Sequence, residues 1–280
     1  MANALRATRV ILPGILPLPV NQKWGYDSAL RILHFAFHNV PMTFDVTIPV
    51  LNEEQTLVQQ VRQLHRFLSQ HFPATGQWRI VIADNGSTDQ TRRLAAELAD
   101  ELPEVQLVRV PEKGVGLALK TSWRQSQADI VGYMDLDLAT DLQHFIQAYH
   151  ALATEGFDLV YGSRLHRRAQ VRGRTVKREI TSRAFNSLLQ AYLGTRFSDG
   201  MCGFKWLRRE YVQPLIAGGA VSNGWFFSTE LLAVAEWKGL NVCELPVKWT
   251  DDSASSKVHI AALAKQYIQA MQVLKTRKPA

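Results

Sequence analysis

The sequence predicts an α/β fold, a mostly parallel sheet with helices on both faces in one large domain. Two observations carry that expectation. Apolar segments of strand length alternate with amphipathic helical segments from residue 44 onward, and buried strands joined by crossover helices mark a parallel sheet. The chain is also long enough for a sizeable core, with 280 residues of which 46% are hydrophobic and 20% charged.

FDVTIPV, residues 44–50, opens the pattern as a strand. NEEQTLVQQVRQLHRFLSQ follows as a helix whose Leu57, Val61, Leu64 and Leu68 fall on one stripe. WRIVIAD reads as the second strand, STDQTRRLAAELADEL as a helix, VQLVRV as the third strand, GLALKTSWRQSQ as a helix and DIVGYMD as the fourth strand. FDLVYGSR and NVCELPVKW continue the strands, REITSRAFNSLLQAYL gives a helix, and residues 258–275 form a terminal one. The connections over 163–178 and 249–257 are polar, as loops over a site tend to be. In sheets of this kind ligands bind beyond the carboxyl ends of the strands. Asn52 and Glu53, then Asp84-Asn85-Gly86, then Asp135 and Asp137 stand at those ends.

The net charge of +7, from 32 basic and 25 acidic residues, favours anionic partners. No aromatic-interleaved basic face or recognition motif accompanies it, so nucleic acid is not expected. The cations concentrate in LHRRAQVRGRTVKR (165–178) and LKTRK (274–278). Cys202 and Cys243 are too few for a disulfide framework and lack metal-ligand spacing, which fits a reducing cytoplasm. No stretch reaches the ~20 apolar residues of a membrane span. The apolar VILPGILPLPV and ALRILHFAFHNV suit packing on the domain or a peripheral contact with the cytoplasmic membrane face. The expected organisation is an N-terminal extension over 1–43, a catalytic domain over 44–260 and an amphipathic basic helix over 261–280.

ADNGSTDQT (83–91) lies between a strand and a helix. Asp84 can accept hydrogen bonds from a nucleobase or ribose, and Ser87 or Thr88 can cap the helix, although an ordinary Asn-Gly turn also explains the stretch. In VGYMDLDLATD (131–141), strand alternation puts Asp135 and Asp137 on one face. They suit an acid/base pair, a site for Mg²⁺ or Mn²⁺ with a diphosphate, or solvated turn residues. Asp141 stands where it can cap the next helix. EKGVGLALK (112–120) fits neither the dinucleotide nor the phosphate-loop spacing. Its glycines let the backbone approach a ligand, with Lys113 near a phosphate, or simply make a tight turn.

VTIPVLNEE, ADNGSTDQT and MDLDLAT, in that order, resemble the inverting family 2 glycosyltransferases of the GT-A fold, which bind nucleotide sugars. DGMCGFK (199–205), GWFFSTELL (224–232) and ELPVKWTDDSASSKV (244–258) are similar to dolichyl- and polyprenyl-phosphate sugar synthases, and most to their dolichyl-phosphate glucosyltransferase branch. The resemblance implies that Pro49, Asn52 and Glu53 line the nucleotide pocket and that Asp84 contacts the base. It implies that Asp135 lies by the ribose or the metal and that Asp137 binds the metal, Mg²⁺ or Mn²⁺. Arg164 and the 165–178 loop, Arg174 included, would hold an acceptor phosphate, with Ser256 and Lys257 closing the site. Glu230 would be the acidic residue nearest the acceptor. Two places depart from the branch, Ser228 replacing its Asp and Gly200-Met201 its Thr-Gln; Ala139 offers no side-chain ligand where mannosyl-phosphate relatives can, and the glucosyl branch is also small there.

The expected reaction is a metal-dependent displacement, with inversion, at the anomeric carbon of a nucleoside-diphosphate sugar, UDP-glucose ahead of GDP-sugars. Positive groups would stabilise the departing diphosphate. A polyprenyl phosphate acceptor is already ionised and needs positioning rather than a base. A soluble or peptide-borne hydroxyl needs one, and Glu230 or Asp199 is then the candidate. A nucleotide-sugar-binding protein without catalysis is the alternative of another class.

Overall fold

The structure, a computed structural model, describes residues 41–73, 76–250 and 260–278, with side chains of the last helix from 266 onward. The expectations for the N-terminal extension and for Ser256 and Lys257 lie outside these residues. Strands β1 (Phe44–Val50), β2 (Trp78–Asp84), β3 (Val105–Arg109) and β4 (Ile130–Met134) pair in parallel in the order β3-β2-β1-β4. Helices α1 (Leu57–His71), α2 (Thr91–Glu101) and α3 (Val115–Gln125) make the crossovers. α1 buries Leu57, Val61, Leu64 and Leu68, the stripe read from its 3.6-residue period.

Beyond β4 one strand runs against the rest. β7 (Phe204–Arg208) runs antiparallel between β4 and β5 (Leu159–Ser163), and β8 (Val242–Pro246) follows parallel to β5. Its alternation serves both faces of the sheet. Phe204 and Trp206 enter a core with α1, α2 and α4 (His144–Ala153), whereas Leu207 enters the opposite core. That second core holds α3, α5 (Val176–Leu193), α6 (Val212–Ala217), α7 (Phe227–Trp237) and α8 (Ile260–Lys275).

The strand expected over 241–249 is two strands. Pro246 has no N–H for a ladder, and after Val247 the chain leaves the sheet as β9 (Lys248–Thr250), parallel to β6 (Gln170–Arg172). β1 lies between β2 and β4, so the order reverses there and opens a crevice at the strand ends. Because β7 is antiparallel, its beginning and the preceding loop 199–203 share that edge with the ends of β4 and β5. Among the described residues no helix is long and apolar enough to cross a membrane.

Candidate active site

The turns after β1 and β2 are laced together. Asn52 takes the left-handed conformation with φ 56°, which asparagine tolerates better than most residues. Its Oδ1 accepts from the Thr88 N–H at 2.8 Å, and its own N–H donates to Ser87 Oγ at 3.1 Å. Ser87 and Thr88 are thus spent on Asn52 and do not cap α2. The N–H of Thr91 at the start of that helix donates to Asp89 Oδ1 at 2.9 Å instead. The Glu53 N–H donates to Thr91 Oγ1 at 2.7 Å, while the Glu53 carboxylate accepts from Thr56 Oγ1 at 3.0 Å. Asp84 is fully buried; its Oδ1 accepts from the Ser87 N–H at 3.0 Å and its Oδ2 from Arg92 Nε at 2.8 Å. Pro49 lies half-buried opposite Ala83.

Asn85 brings in a third turn. Its Oδ1 accepts from the Gly114 N–H at 2.5 Å, so the loop carrying exposed Lys113 lies beside Gly86. Asn52, Glu53, Asp84 and Lys113 therefore occupy one rim, as their places at strand ends predict.

Asp135 and Asp137 follow β4 on the same rim. Asp135 fits tightly against Gly203, where any Cβ would collide with its carboxylate. Its Oδ1 is buried and has no hydrogen-bond partner. Burial, and then the negative charge of Asp137, push its pKa up to about 7, against the pull of Arg164 and Lys205. Asp137 is exposed, and its Oδ1 accepts from the Ala139 N–H at 3.0 Å. A buried acceptor with no donor, beside a second carboxylate that raises its pKa, is what a divalent cation would satisfy. Among the described residues no cluster of three or more His, Cys, Asp or Glu could hold a metal alone. The pair therefore fits an ion that also takes oxygens from a phosphate. Asp141 stands apart from this pair, its Oδ1 accepting from the Gln143 N–H at 2.9 Å just before α4.

On the other side, Arg164 and Asp199 hold each other. Arg164 Nε donates to Asp199 Oδ2 at 2.8 Å and Nη2 to Oδ1 at 2.9 Å, and the Arg164 N–H also donates to Oδ2. Burial opposes ionisation of both groups, but the charge and hydrogen bonds of each keep the other ionised, lowering the Asp199 pKa and raising that of Arg164. Arg164 also stacks over Trp249 at 5.5 Å. Arg174 is buried near the start of α5, ion-paired with Glu179 at 3.1 Å, with Nη1 not aligned for a hydrogen bond. Burial and then the charge of Arg164 lower its pKa.

Glu230, also buried, accepts from the N–H of Ser222 at 2.7 Å and from its Oγ at 2.6 Å. Lys120 donates to Val221 O and Asn223 Oδ1, so the two side chains clamp the 221–223 loop, which packs on Gly114 and Gly116. The structure thus joins Asp199 to Arg164 and sets Glu230 behind a loop.

Three supporting residues have roles that the sequence reading did not assign. Gly203 admits Asp135, and Asn85 docks the Lys113 loop. Lys205, buried in β7, donates to Gly200 O, Cys202 O and Ser228 Oγ. A lysine inside the apolar FKWLR is the one visible signal; the others are ordinary turn residues until their contacts are known.

The model of glycosyl transferase family 2 matches residues 45–215. Glycosyltransferase AglD of Haloferax volcanii is 32% identical over 205 residues, covering 73% of this chain and 32% of its own length. Dolichyl-phosphate beta-glucosyltransferase ALG5C of Trichomonas vaginalis is 28% identical over 238 residues, covering 81% of this chain and 69% of its own. The chain therefore spans about a third of the length of AglD. Glucosyl-3-phosphoglycerate synthase from Mycobacterium tuberculosis, solved with Mn²⁺, UDP and glucosyl-3-phosphoglycerate, superposes with a TM-score of 0.61 at 21% identity, over 93% of this chain and 88% of that one. The mannosyltransferase PcManGT from Pyrobaculum calidifontis, solved with GDP-Man and Mn²⁺, superposes at 0.56 with 16% identity, over 90% and 72%. At these identities the structural likeness establishes the fold, which is GT-A-like.

Proposed function

Since this chain belongs to glycosyl transferase family 2, we propose that it moves a hexose, glucose first among the candidates, from a nucleoside-diphosphate sugar to a polyprenyl or dolichyl phosphate. The observation that carries this reading is the single rim on which the three laced turns, the Asp135/Asp137 pair and the Arg164–Asp199 loop meet. The names of the relatives support a lipid-phosphate acceptor and glucose. Of the two neighbours, both with Mn²⁺, one was solved with UDP and the other with GDP-Man; UDP ranks first here because the UDP-bound neighbour is the one named for glucose, as the relatives are.

In this reading the Asn52–Thr88 and Asn85–Gly114 bonds shape the pocket for the nucleotide, with Pro49, Glu53, Asp84 and Lys113 on its walls. Asp135 and Asp137 would hold Mg²⁺ or Mn²⁺, which when bound supplies positive charge to balance the diphosphate. Arg174, where the basic loop enters α5, and Lys257 are the cations assigned to the acceptor phosphate; Arg164 supports them from its pair with Asp199. The peripheral membrane contact expected from the sequence belongs to the same reading.

The engaged state of Asp199 and Glu230 favours a phosphate acceptor over a hydroxyl. A base must be able to take a proton from its substrate. Asp199 is held as a carboxylate by Arg164, and Glu230 already accepts two bonds from Ser222. An ionised phosphate needs neither.

The test is a panel of donor sugars with Mg²⁺ or Mn²⁺, read by release of nucleoside diphosphate with and without a short-chain polyprenyl phosphate. Release stimulated by the lipid phosphate is expected. Stimulation only by hydroxyl acceptors would overturn the acceptor assignment. Donor binding with no release across all acceptors would indicate a binding protein instead.

A further inference from the structure

Helix α5 presents an apolar stripe to solvent. Val176, Ile180, Leu188 and Tyr192 are 74, 62, 46 and 37% exposed. With exposed Ala184 they recur every four residues, so they run as one band along the outer face of the helix. The opposite face is already used, burying Asn186, Leu189 and Leu193. Among the described residues none covers the outer band, and an exposed contiguous apolar surface marks a contact.

The charges around the band select its partner. Arg167, Arg168, Arg172 and Lys177, all exposed, stand in the loop leading into the helix and on its first turn. At the far end Lys275 lies over the Tyr192 ring at 5.6 Å. The single acidic residue of α5, Glu179, is ion-paired with Arg174 and Arg183. Apolar side chains flanked by cations, with the helix's one carboxylate already paired to two arginines, match a bilayer interface with anionic headgroups. They do not match a second copy of the same cationic face, which would repel it.

We infer that the outer face of α5 docks this protein on an anionic phospholipid surface, with Val176, Ile180, Leu188 and Tyr192 entering the headgroup boundary and the loop cations on the phosphates. The placement has a consequence for the site. Val176 is two residues from Arg174, so the bilayer surface would lie at the mouth through which a lipid phosphate must enter. The purpose of the docking rests on the proposed acceptor, but the docking itself does not.

The experiment is flotation of the full chain, without donor or acceptor, on phosphatidylcholine vesicles with and without phosphatidylglycerol. Binding to the anionic vesicles is expected, with little to the neutral ones and a decline as salt is raised. The double variant Ile180→Ser/Leu188→Ser should partition about tenfold less. It should keep the wild-type melting temperature and its turnover of a short, water-soluble acceptor. Absence of wild-type binding would overturn the docking, as would a variant that binds equally well. So would a dimer that the variant dissociates while vesicle binding stays absent. Failure of the transfer reaction with flotation intact would instead strike the acceptor reading alone.

Discussion

Single residues in this site differ in what their neighbours allow them to do. Asp135 is enclosed by Gly203 and lacks a donor at Oδ1, whereas Asp137 is exposed two positions on. Asp137→Ala should therefore leave folding within about 0.5 kcal/mol of wild type, as surface changes usually do, while abolishing metal-stimulated release of nucleoside diphosphate. Activity that survives, with the same metal dependence, would remove Asp137 from the metal site. Asp199 makes the opposite case. Its partner Arg164 has a side chain only 14% exposed, and removing one half of such a pair strands the other charge. Asp199→Asn should lower stability by roughly 3–5 kcal/mol, read by denaturant unfolding. A variant as stable as wild type but inactive would return Asp199 to the role of base. Lys205 is a buried charge bonded only to neutral oxygens, and burial lowers its pKa to about 8. A lysine whose folded pKa is lowered makes stability rise as pH climbs from about 8 to its ordinary 10.5. Ser228→Asp would place a counter-charge at Nζ, and the rise should flatten in unfolding measured across that window. A curve identical to wild type would show that no counter-charge was missing.

Among the elements, β9 has more influence than its length suggests. The Asp141 N–H donates to Lys248 O at 3.0 Å, and the Thr250 N–H to Ala139 O at 2.9 Å, so β9 grips the segment just after the Asp135/Asp137 pair. Its other side pairs with β6 in the basic loop. One edge bond is made by a histidine: the Lys248 N–H donates to His144 Nε2 at 2.8 Å while Nδ1 meets Gln147 Oε1 at 2.7 Å. Nε2 must be unprotonated to accept, so the imidazole is neutral with its proton on Nδ1. Burial lowers its pKa below 6.5, against the smaller pull of Gln147 and Asp141, and Lys248 adds to the lowering. The folded state thus binds fewer protons than the unfolded one. The stability from this contact is complete above pH 6.5 and is lost as pH falls from there toward the lowered folded value. Amide exchange at Lys248 and Thr250 should quicken over that range, and His144→Gln should weaken the dependence. Exchange that is flat with pH in the wild type would refute the clamp.

For the whole molecule, the parts that could be read from sequence are those set by local pattern. The first four strands, their crossover helices and the stripe of α1 follow from periodicity, and the rim follows because a parallel sheet collects its strand ends on one side. What could not be read depends on pairing across distance. β7 meets β4 across about seventy residues, Arg164 reaches Asp199 across 35, and Pro246 breaks what looks like one strand because the next partner is β6. No window of sequence contains both members of these pairs. The same construction makes a prediction about the assembled domain. Turns from three strands are joined by Asn52 and Asn85, so a ligand bound on the rim touches segments that must all be folded at once. A ligand that binds only the folded state raises its stability by about 2.7 kcal/mol at a hundredfold excess over Kd. For a domain of this size that is a rise of several degrees in melting temperature. UDP with Mn²⁺ should produce it, GDP should produce less, and chelation should reverse it, because without a cation the Asp135/Asp137 carboxylates would repel a diphosphate on the proposed site. An equal shift with chelator present would separate nucleotide binding from the acidic pair. No shift with any nucleoside diphosphate would remove the nucleotide from the rim altogether.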